Sequence, residues 1–237
     1  KSSKDQVIAS WSGGTFAYLR AKASSDGLFA VHQMGVERQG ADSMDDFVRR
    51  LQGMGLKGGV AHIMLRADQY QILQVEAPPV APEELRSAAR YQIRDMISTH
   101  IDDITMDVLR VGDGQNKAAN QLFVVAAATA NVREGLDLAE TMHWAVSVID
   151  VQETAQRNLQ SAMARREGRL DSADAFLMIA RDRQAVLTIS VNDELYFSRR
   201  LDLPEGFMDM AWDSVNAVVA PAVDAYTPVA EYVPDYS

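Results

Sequence analysis

The stretch from 69 to 143 constrains the fold most, because its patterns predict five elements in the order strand, helix, strand, strand, helix. Pro82, Glu83 and Glu84 open the first of these helices, since proline suits the first helical position and acids suit the positive end of a helix. The predicted elements are a strand at 69–75, a helix from 82 to about 99, strands at 105–111 and 121–129, and a helix at 132–143 capped by Asn131. This order predicts one compact α+β module.

Strands and helices are also predicted on both sides of this module. On the N-terminal side we expect strands at 6–10, 15–23, 28–36 and 60–65, and a helix at 43–54 that Ser43 caps. On the C-terminal side we expect a strand at 145–151, a helix that ends near 166, a charged linker at 167–174, strands at 175–181, 185–191 and 194–201, and a helix from 204 to about 225. The turn at Asn192 and Asp193 is typical of a two-residue hairpin.

Composition narrows the class of protein. The 237 residues are 47% hydrophobic and 24% charged, as in an ordinary globular chain, and the net charge of −10 argues against a general nucleic-acid binder. Cysteine is absent, which excludes disulfides and thiolate metal sites. The longest apolar run, 122–130, is far shorter than a membrane helix requires, and no targeting segment is evident. We therefore expect a soluble cytosolic protein, or a soluble piece of a longer one, with no direct membrane insertion.

No pattern in the chain announces a catalytic or metal site. Its four histidines are scattered singly, and the acidic residues Asp102, Asp103 and Asp107 are best explained as a solvated loop at a strand start. The segment Ser12-Gly13-Gly14-Thr15 could suggest a phosphate-binding loop, but a hairpin turn explains it better because no helix begins after it. We predict no catalytic residue, no metal site and no enzyme.

Four segments together resemble the PilM-type proteins of type IV pilus machines. They are PEELRSAARYQIRDMISTHIDDITMDVLRV at 82–111, LFVVAAATANVREGLDLAE at 122–140, SVIDVQETAQRNL at 147–159 and ELYFSRRLDLP at 194–204. Each motif alone is weakly specific, whereas their order and spacing are fairly specific. The residues of these motifs are most similar to those of the branch called MshI, from the mannose-sensitive haemagglutinin (MSHA) pilus system.

The resemblance implies an α/β actin-like fold of the FtsA and PilM type, with an α+β insertion and a reduced second lobe. Residues 1–68 and 144–168 would form the first subdomain, 69–143 the inserted module, and 169–237 a partial second lobe. The order of elements predicted from the residues agrees with this arrangement.

Family members that bind ATP use two Asp-x-Gly loops, and both places depart from that pattern here. The first loop has Ser10, Ser12 and Gly13 with no aspartate, and Trp11 stands where a small residue would let phosphate approach. In the second loop Ala180 occupies the usual aspartate position and Asp182 the usual glycine position, where its charge repels phosphate. We expect no cofactor, although an active actin-like ATPase stays open as an alternative.

The resemblance also implies partners. The chain would be a non-enzymatic scaffold, cytoplasmic and peripheral to the inner membrane, that holds the cytoplasmic N-terminal tail of a single-pass PilN-like protein and contacts the assembly ATPase. In the family the tail lies between the first subdomain and the module, which offers Leu85, Ala89 and Ile93 as apolar contacts and Arg86 and Arg94 as polar ones. Alternatively, the three apolar residues pack on the sheet of their own module and do not contact a partner. The alternative for the whole chain is the cytosolic domain of a GspL-like type II secretion protein.

Overall fold

The structure of the chain, a computed structural model, describes residues 5–23, 29–112, 120–180 and 184–209. These ranges contain eleven strands and four α-helices. The strands form one five-stranded sheet and two three-stranded sheets. The chain divides into two compact units, Lys1–Met178 with Val186–Arg199 and Ile179–Ala185 with Arg200–Ser237. None of the helices in the described ranges is long and apolar enough to cross a membrane. The three-part division predicted from the sequence stays a prediction.

The five-stranded sheet combines an antiparallel meander with parallel strands. Its strands are β1 (Gln6–Ser12), β2 (Thr15–Ala23), β3 (Phe29–Arg38), β4 (Val60–Met64) and β8 (Ala145–Asp150), in the order β3-β2-β1-β4-β8. Strands β1 to β3 pair antiparallel, whereas β4 runs parallel to β1 and β8 runs parallel to β4. The alternating apolar residues of β1 and β2 give this sheet one buried face.

Two helices contribute to the core of this sheet. They are α1 (Met44–Gly53), capped by Ser43 as predicted, and α3 (Thr129–Thr141). The aromatic rings in this core pack in tilted, edge-on and stacked pairs, and they are Trp11, Phe16, Tyr18, Phe47 and Trp144. Helix α3 begins three residues earlier than predicted, and Asn131 is not its cap. The Asn131 amide instead donates a hydrogen bond to the carbonyl of Gln69 (3.1 Å).

Between β4 and β8 the chain forms a three-stranded antiparallel sheet, called the module sheet below, with one helix on it. The sheet has β7 (Gln121–Ala128) between β5 (Tyr70–Glu76) and β6 (Ile104–Arg110), and α2 (Leu85–Ile93) follows a 3-10 turn at Pro82–Glu84. The prediction that this helix extends to about 99 was wrong. The sequence Ile97-Ser98-Thr99 after its end has low helix propensity, and Ile97 packs onto the same core as the helix.

The remaining strands follow the long helix α4 (Gln152–Arg166). They are β9 (Asp174–Ile179), β10 (Gln184–Val191) and β11 (Glu194–Asp202), in the order β11-β10-β9. Asn192 and Asp193 both have positive φ, which confirms the predicted hairpin turn between β10 and β11. A 3-10 turn at Phe207–Asp209 ends the described chain, and most of the helix predicted to reach about 225 lies outside the described residues.

Candidate functional site

A groove of about 410 Å³ lies between α1 and α3, above the end of β1. Its floor is apolar, because Trp11, Val48 and Leu138 are all buried. The groove is completed by Met44 on α1 and by residues of α3, namely Ala130, Arg133, Glu134, Asp137 and Thr141. An apolar floor with a polar rim suits a ligand that buries apolar side chains and keeps charged groups near water.

Strand alternation explains how Trp11 comes to lie in this floor. Val7, Ala9 and Trp11 share the buried face of β1, so the Trp11 ring points toward α1, where it packs 5.3 Å from the ring of Phe47. Its indole N–H donates a hydrogen bond to the carboxylate Oε1 of Glu134 (2.6 Å). The side chain is therefore fixed at both its ring and its polar edge.

The rim of the groove carries more negative than positive charge. Glu134 and Asp137 contribute carboxylates and Arg133 contributes a guanidinium, and all three residues are exposed. Met44 is partly exposed on the opposite wall, at the start of α1. This arrangement favours a ligand segment with apolar side chains next to basic ones, because the acids of the rim attract cations. The described residues bring no three His, Cys, Asp or Glu side chains together as a metal site.

The first predicted phosphate loop is a tight hairpin turn, with positive φ at Gly13 and Gly14. The Gly14 carbonyl accepts a hydrogen bond from the Gln39 N–H (2.8 Å), and the Ser12 hydroxyl donates to the Asp68 carboxylate (3.0 Å). Ser10 pairs with Ala17 across the hairpin. The loop thus has a negative charge beside its serine, which disfavours phosphate.

Trp11 does not obstruct this turn as the sequence suggested. Its side chain lies in the core under the sheet, because position 11 belongs to the buried set of β1. In the second predicted loop, the Ala180 N–H donates to the Gln184 carbonyl (2.8 Å). Asp182 lies outside the described residues.

The five residues of α2 and its C-terminal end that were predicted to contact a partner fall into a buried group and an exposed group. Leu85, Ala89 and Ile93 are buried against the module sheet, as the open alternative had it. Arg86 and Arg94 are exposed, and the Arg94 guanidinium lies 3.3 Å from the Asp95 carboxylate. A direct contact of these five residues with a partner stays a prediction, and the two arginines are the accessible members.

The α1–α3 groove was missed at the level of the sequence. Trp11, Met44 and Asp137 lie far apart along the chain, and only the packing of both helices on the five-stranded sheet brings them together. The one local signal was a tryptophan in the apolar set of β1, which any buried strand residue could explain.

Comparison with solved structures identifies proteins of similar fold. The PilM–PilN type IV pilus biogenesis complex aligns with a TM-score of 0.62 at 14% identity, over 93% of this chain and 70% of the other. The cytoplasmic domain of EpsL from the Vibrio cholerae type II secretion system gives 0.55 at 14% identity, over 96% and 79%. A Bacteroides thetaiotaomicron protein of unknown function with an actin-like ATPase fold gives 0.52 at 9% identity, over 95% and 77%.

Together these likenesses confirm the predicted actin-like fold. No protein-family model matches the chain. No curated protein matches its sequence either.

Proposed function

We propose that this chain is a non-enzymatic scaffold in the inner-membrane assembly platform of an MSHA-like type IV pilus. In this role it is cytoplasmic and peripheral to the inner membrane, holds the cytoplasmic tail of a PilN-like protein, and links that tail to the assembly ATPase. The observation that carries the proposal is the fold shared with PilM in its complex with PilN. The family motifs at 82–111 and 147–159 support it from the sequence.

We place the tail in the α1–α3 groove. Met44, which is 40% exposed, and the exposed Ala130 offer apolar surface that the tail can cover, and the carboxylates of Glu134 and Asp137 suit basic residues beside the apolar ones. The three apolar residues of α2 are already buried in the module core. Arg86 and Arg94 then serve as polar contacts on the exposed side of α2.

Fluorescence anisotropy with a labelled peptide tests this site. The peptide should comprise the cytoplasmic tail of a PilN-like protein from the same organism. Met44→Lys puts a positive charge into the groove at a residue that is 40% exposed, so the fold should survive. Because this charge repels the basic residues of the tail, the dissociation constant should rise at least about tenfold. Met163→Lys on α4, at 41% exposure, is the matched control and should bind like the wild type.

Two outcomes would contradict the proposal at different levels. Equal binding by the Met44→Lys and Met163→Lys variants would exclude the groove as the tail site while leaving the scaffold role intact. No binding of the peptide by the wild type would contradict the scaffold role itself. Arg86→Glu with Arg94→Glu forms a separate arm, in which weakened binding assigns the tail to the exposed side of α2.

An actin-like ATPase is the second candidate, favoured by the likeness to the Bacteroides thetaiotaomicron protein. Titration calorimetry with Mg-ATP and then ADP separates the two readings. We expect no heat at millimolar nucleotide, because the Asp68 carboxylate accompanies Ser12 beside the Gly13 turn. Binding at about micromolar strength would instead favour the ATPase.

A role in type II secretion is the third candidate, since the EpsL cytoplasmic domain shares the fold. Fluorescence anisotropy can compare the affinity of the chain for two tail peptides, one from the partner protein of a type II secretion system and one from the PilN-like protein of a pilus system. We expect preference for the pilus tail. Preference for the secretion peptide would reassign the chain.

A further inference from the structure

Strand β3 forms one edge of the five-stranded sheet and pairs there only with β2 among the described residues. It is ten residues long and contains neither proline nor lysine, two of the residues that usually protect exposed edges. Such an edge offers a row of backbone N–H and C=O groups to another strand.

Large apolar side chains stand exposed along this edge. The exposed fractions are 54% for Phe29, 50% for Val31, 74% for Met34 and 64% for Val36. A bulge in the pairing with β2 leaves His32 without a partner residue, because Gln33 pairs with Arg20 and Val31 with Ala21. Since residues on one face alternate, this extra residue brings all four apolar side chains onto the same face.

The opposite face of β3 is fixed to α1. The Gln33 amide donates to the Met54 carbonyl (3.0 Å), and the Glu37 carboxylate pairs with Arg50 (2.7 Å). Gly35 lies beneath the hydroxyl of Tyr18, where an added Cβ would come within 2.9 Å of the oxygen. These contacts hold the strand in register and leave its apolar face outward.

We propose that β3 pairs antiparallel with β3 of a second copy of this chain. About a two-fold axis between His32 and Gln33, Phe29 comes opposite Val36 of the other copy and Val31 comes opposite Met34. The pattern is therefore self-complementary in sequence. A strand of another protein would need a matching pattern by coincidence, whereas a second copy supplies it automatically.

The charge pattern also favours a second copy. The chain carries a net charge of −10, which repels its copies in general, yet residues 29–36 contain no acidic or basic side chain apart from His32. The apolar face continues inward, because Leu19 pairs with Met34 on one side and with Ile8 on the other. The proposed interface therefore joins two apolar surfaces that carry little charge.

The size of the surface sets the expected strength of the dimer. One strand and the row beside it supply roughly half of the ~20–30 residues per side of a standard stable interface. We therefore expect a concentration-dependent dimer with a dissociation constant on the order of 10–100 µM.

Sedimentation velocity of the full chain at about 5 to 500 µM measures this equilibrium. The wild type should shift from monomer to dimer, and Met34→Lys should stay monomeric because it places a charge in the centre of the interface. Met208→Lys is the matched control, since Met208 is 69% exposed on the 3-10 turn after β11, and it should dimerise like the wild type. A wild type that stays monomeric throughout overturns the proposal.

Disulfide trapping tests the register independently. The chain has no cysteine, so Val31→Cys and Met34→Cys introduce the only thiols. Mixing the two variants under mild oxidation should give mainly the mixed disulfide, because these positions lie opposite each other. A dimer that traps no such bond would overturn the β3 pairing. The proposal would also be overturned if the wild type stayed monomeric and Met34→Lys no longer bound the tail peptide. The edge of β3 would then be a binding site for the partner protein and not for a second copy.

Discussion

Trp11 on β1 and Glu134 on α3 lie 123 positions apart in the chain, yet the indole N–H of the first donates a 2.6 Å hydrogen bond to the carboxylate of the second. Trp11 is buried, and its N–H can only donate. The bond therefore satisfies a polar group that would otherwise lie in the core without a partner, and it fixes α3 as the wall of the α1–α3 groove.

Removing the carboxylate should destabilise the protein through this bond. Glu134→Ala leaves the indole N–H without its acceptor and should lower the free energy of unfolding by about 1–2 kcal/mol. Glu134→Gln keeps an acceptor oxygen and should cost less than half as much. Urea denaturation of the three proteins measures the difference. Equal losses in the two variants would show that the hydrogen bond contributes nothing.

The second prediction concerns the stability that a buried glutamine on α4 contributes. The Gln156 amide nitrogen lies within hydrogen-bond distance of the carbonyls of Phe176 (2.9 Å) and Val186 (3.0 Å) and of the hydroxyl of Thr188 (2.9 Å), and its two N–H groups are shared among these three acceptors. Gln156→Leu is more apolar, but it removes the donor to all three oxygens inside the core. We expect a loss of about 2–4 kcal/mol in the free energy of unfolding.

Gln92→Leu on the exposed side of α2 is the matched control for this substitution. It makes the same chemical change where water replaces any lost hydrogen bond, so it should change stability by less than about 0.5 kcal/mol. If Gln156→Leu were as stable as this control, the buried amide would not hold α4 to the strands.

The strands of the five-stranded sheet could be predicted from the sequence because their signals are local. Val7, Ala9 and Trp11 alternate with more exposed residues, and the Gly13-Gly14 turn allows the positive φ that a tight hairpin requires. Both signals lie within a few residues of each other. No distant contact is needed to read them.

Features that depend on tertiary contacts could not be predicted in the same way. Helix α4 was predicted with its end near 166, as observed, but it buries polar residues, including Gln156 and Gln160, so the sequence does not show which of its faces packs inward. The end of α2 at Ile93 is set partly by Ile97 joining the module core, which local propensity does not reveal. The groove beside Trp11 needs the pairing of two distant helices, and so it appears only in the fold.

The third prediction concerns the loss of stability when a side chain is added at Gly35, which lies close to Tyr18. A Cβ at position 35 would lie 2.9 Å from the Tyr18 hydroxyl oxygen and 3.1 Å from its ring carbon Cζ. The Tyr18 ring is buried and stacks on Phe16 at 5.5 Å, so it cannot move freely. Gly35→Ala should therefore lower the free energy of unfolding by about 1–3 kcal/mol.

A double-mutant cycle with Tyr18→Phe tests the cause of that loss. Removing the hydroxyl takes away the nearest atom, so Gly35→Ala should cost less in the Tyr18→Phe background than in the wild type. A coupling energy of at least about 0.5 kcal/mol is expected for two residues in contact. Strictly additive losses would contradict steric overlap with the hydroxyl.

The start of α1 predicts a shifted titration. The Ser43 hydroxyl donates to the Asp46 carboxylate (2.7 Å), and the Arg49 guanidinium lies 2.5 Å from the other oxygen of that carboxylate. Both contacts favour the charged form, and they hold the pKa of Asp46 below its ordinary value of 3.8, with the Ser43 hydrogen bond as the larger cause. Ser43→Ala and Arg49→Gln should therefore each raise this pKa toward its ordinary value.

The sign of the linked stability follows from the direction of this shift. Because the pKa of Asp46 is lower in the folded chain than in the unfolded chain, its contribution is complete above the ordinary value of 3.8 and is lost as the pH falls through the folded value. NMR titration of the Asp46 carboxyl carbon in the wild type and both variants measures the pKa directly. An unchanged pKa in Ser43→Ala would show that the hydrogen bond from Ser43 does not lower the pKa of Asp46.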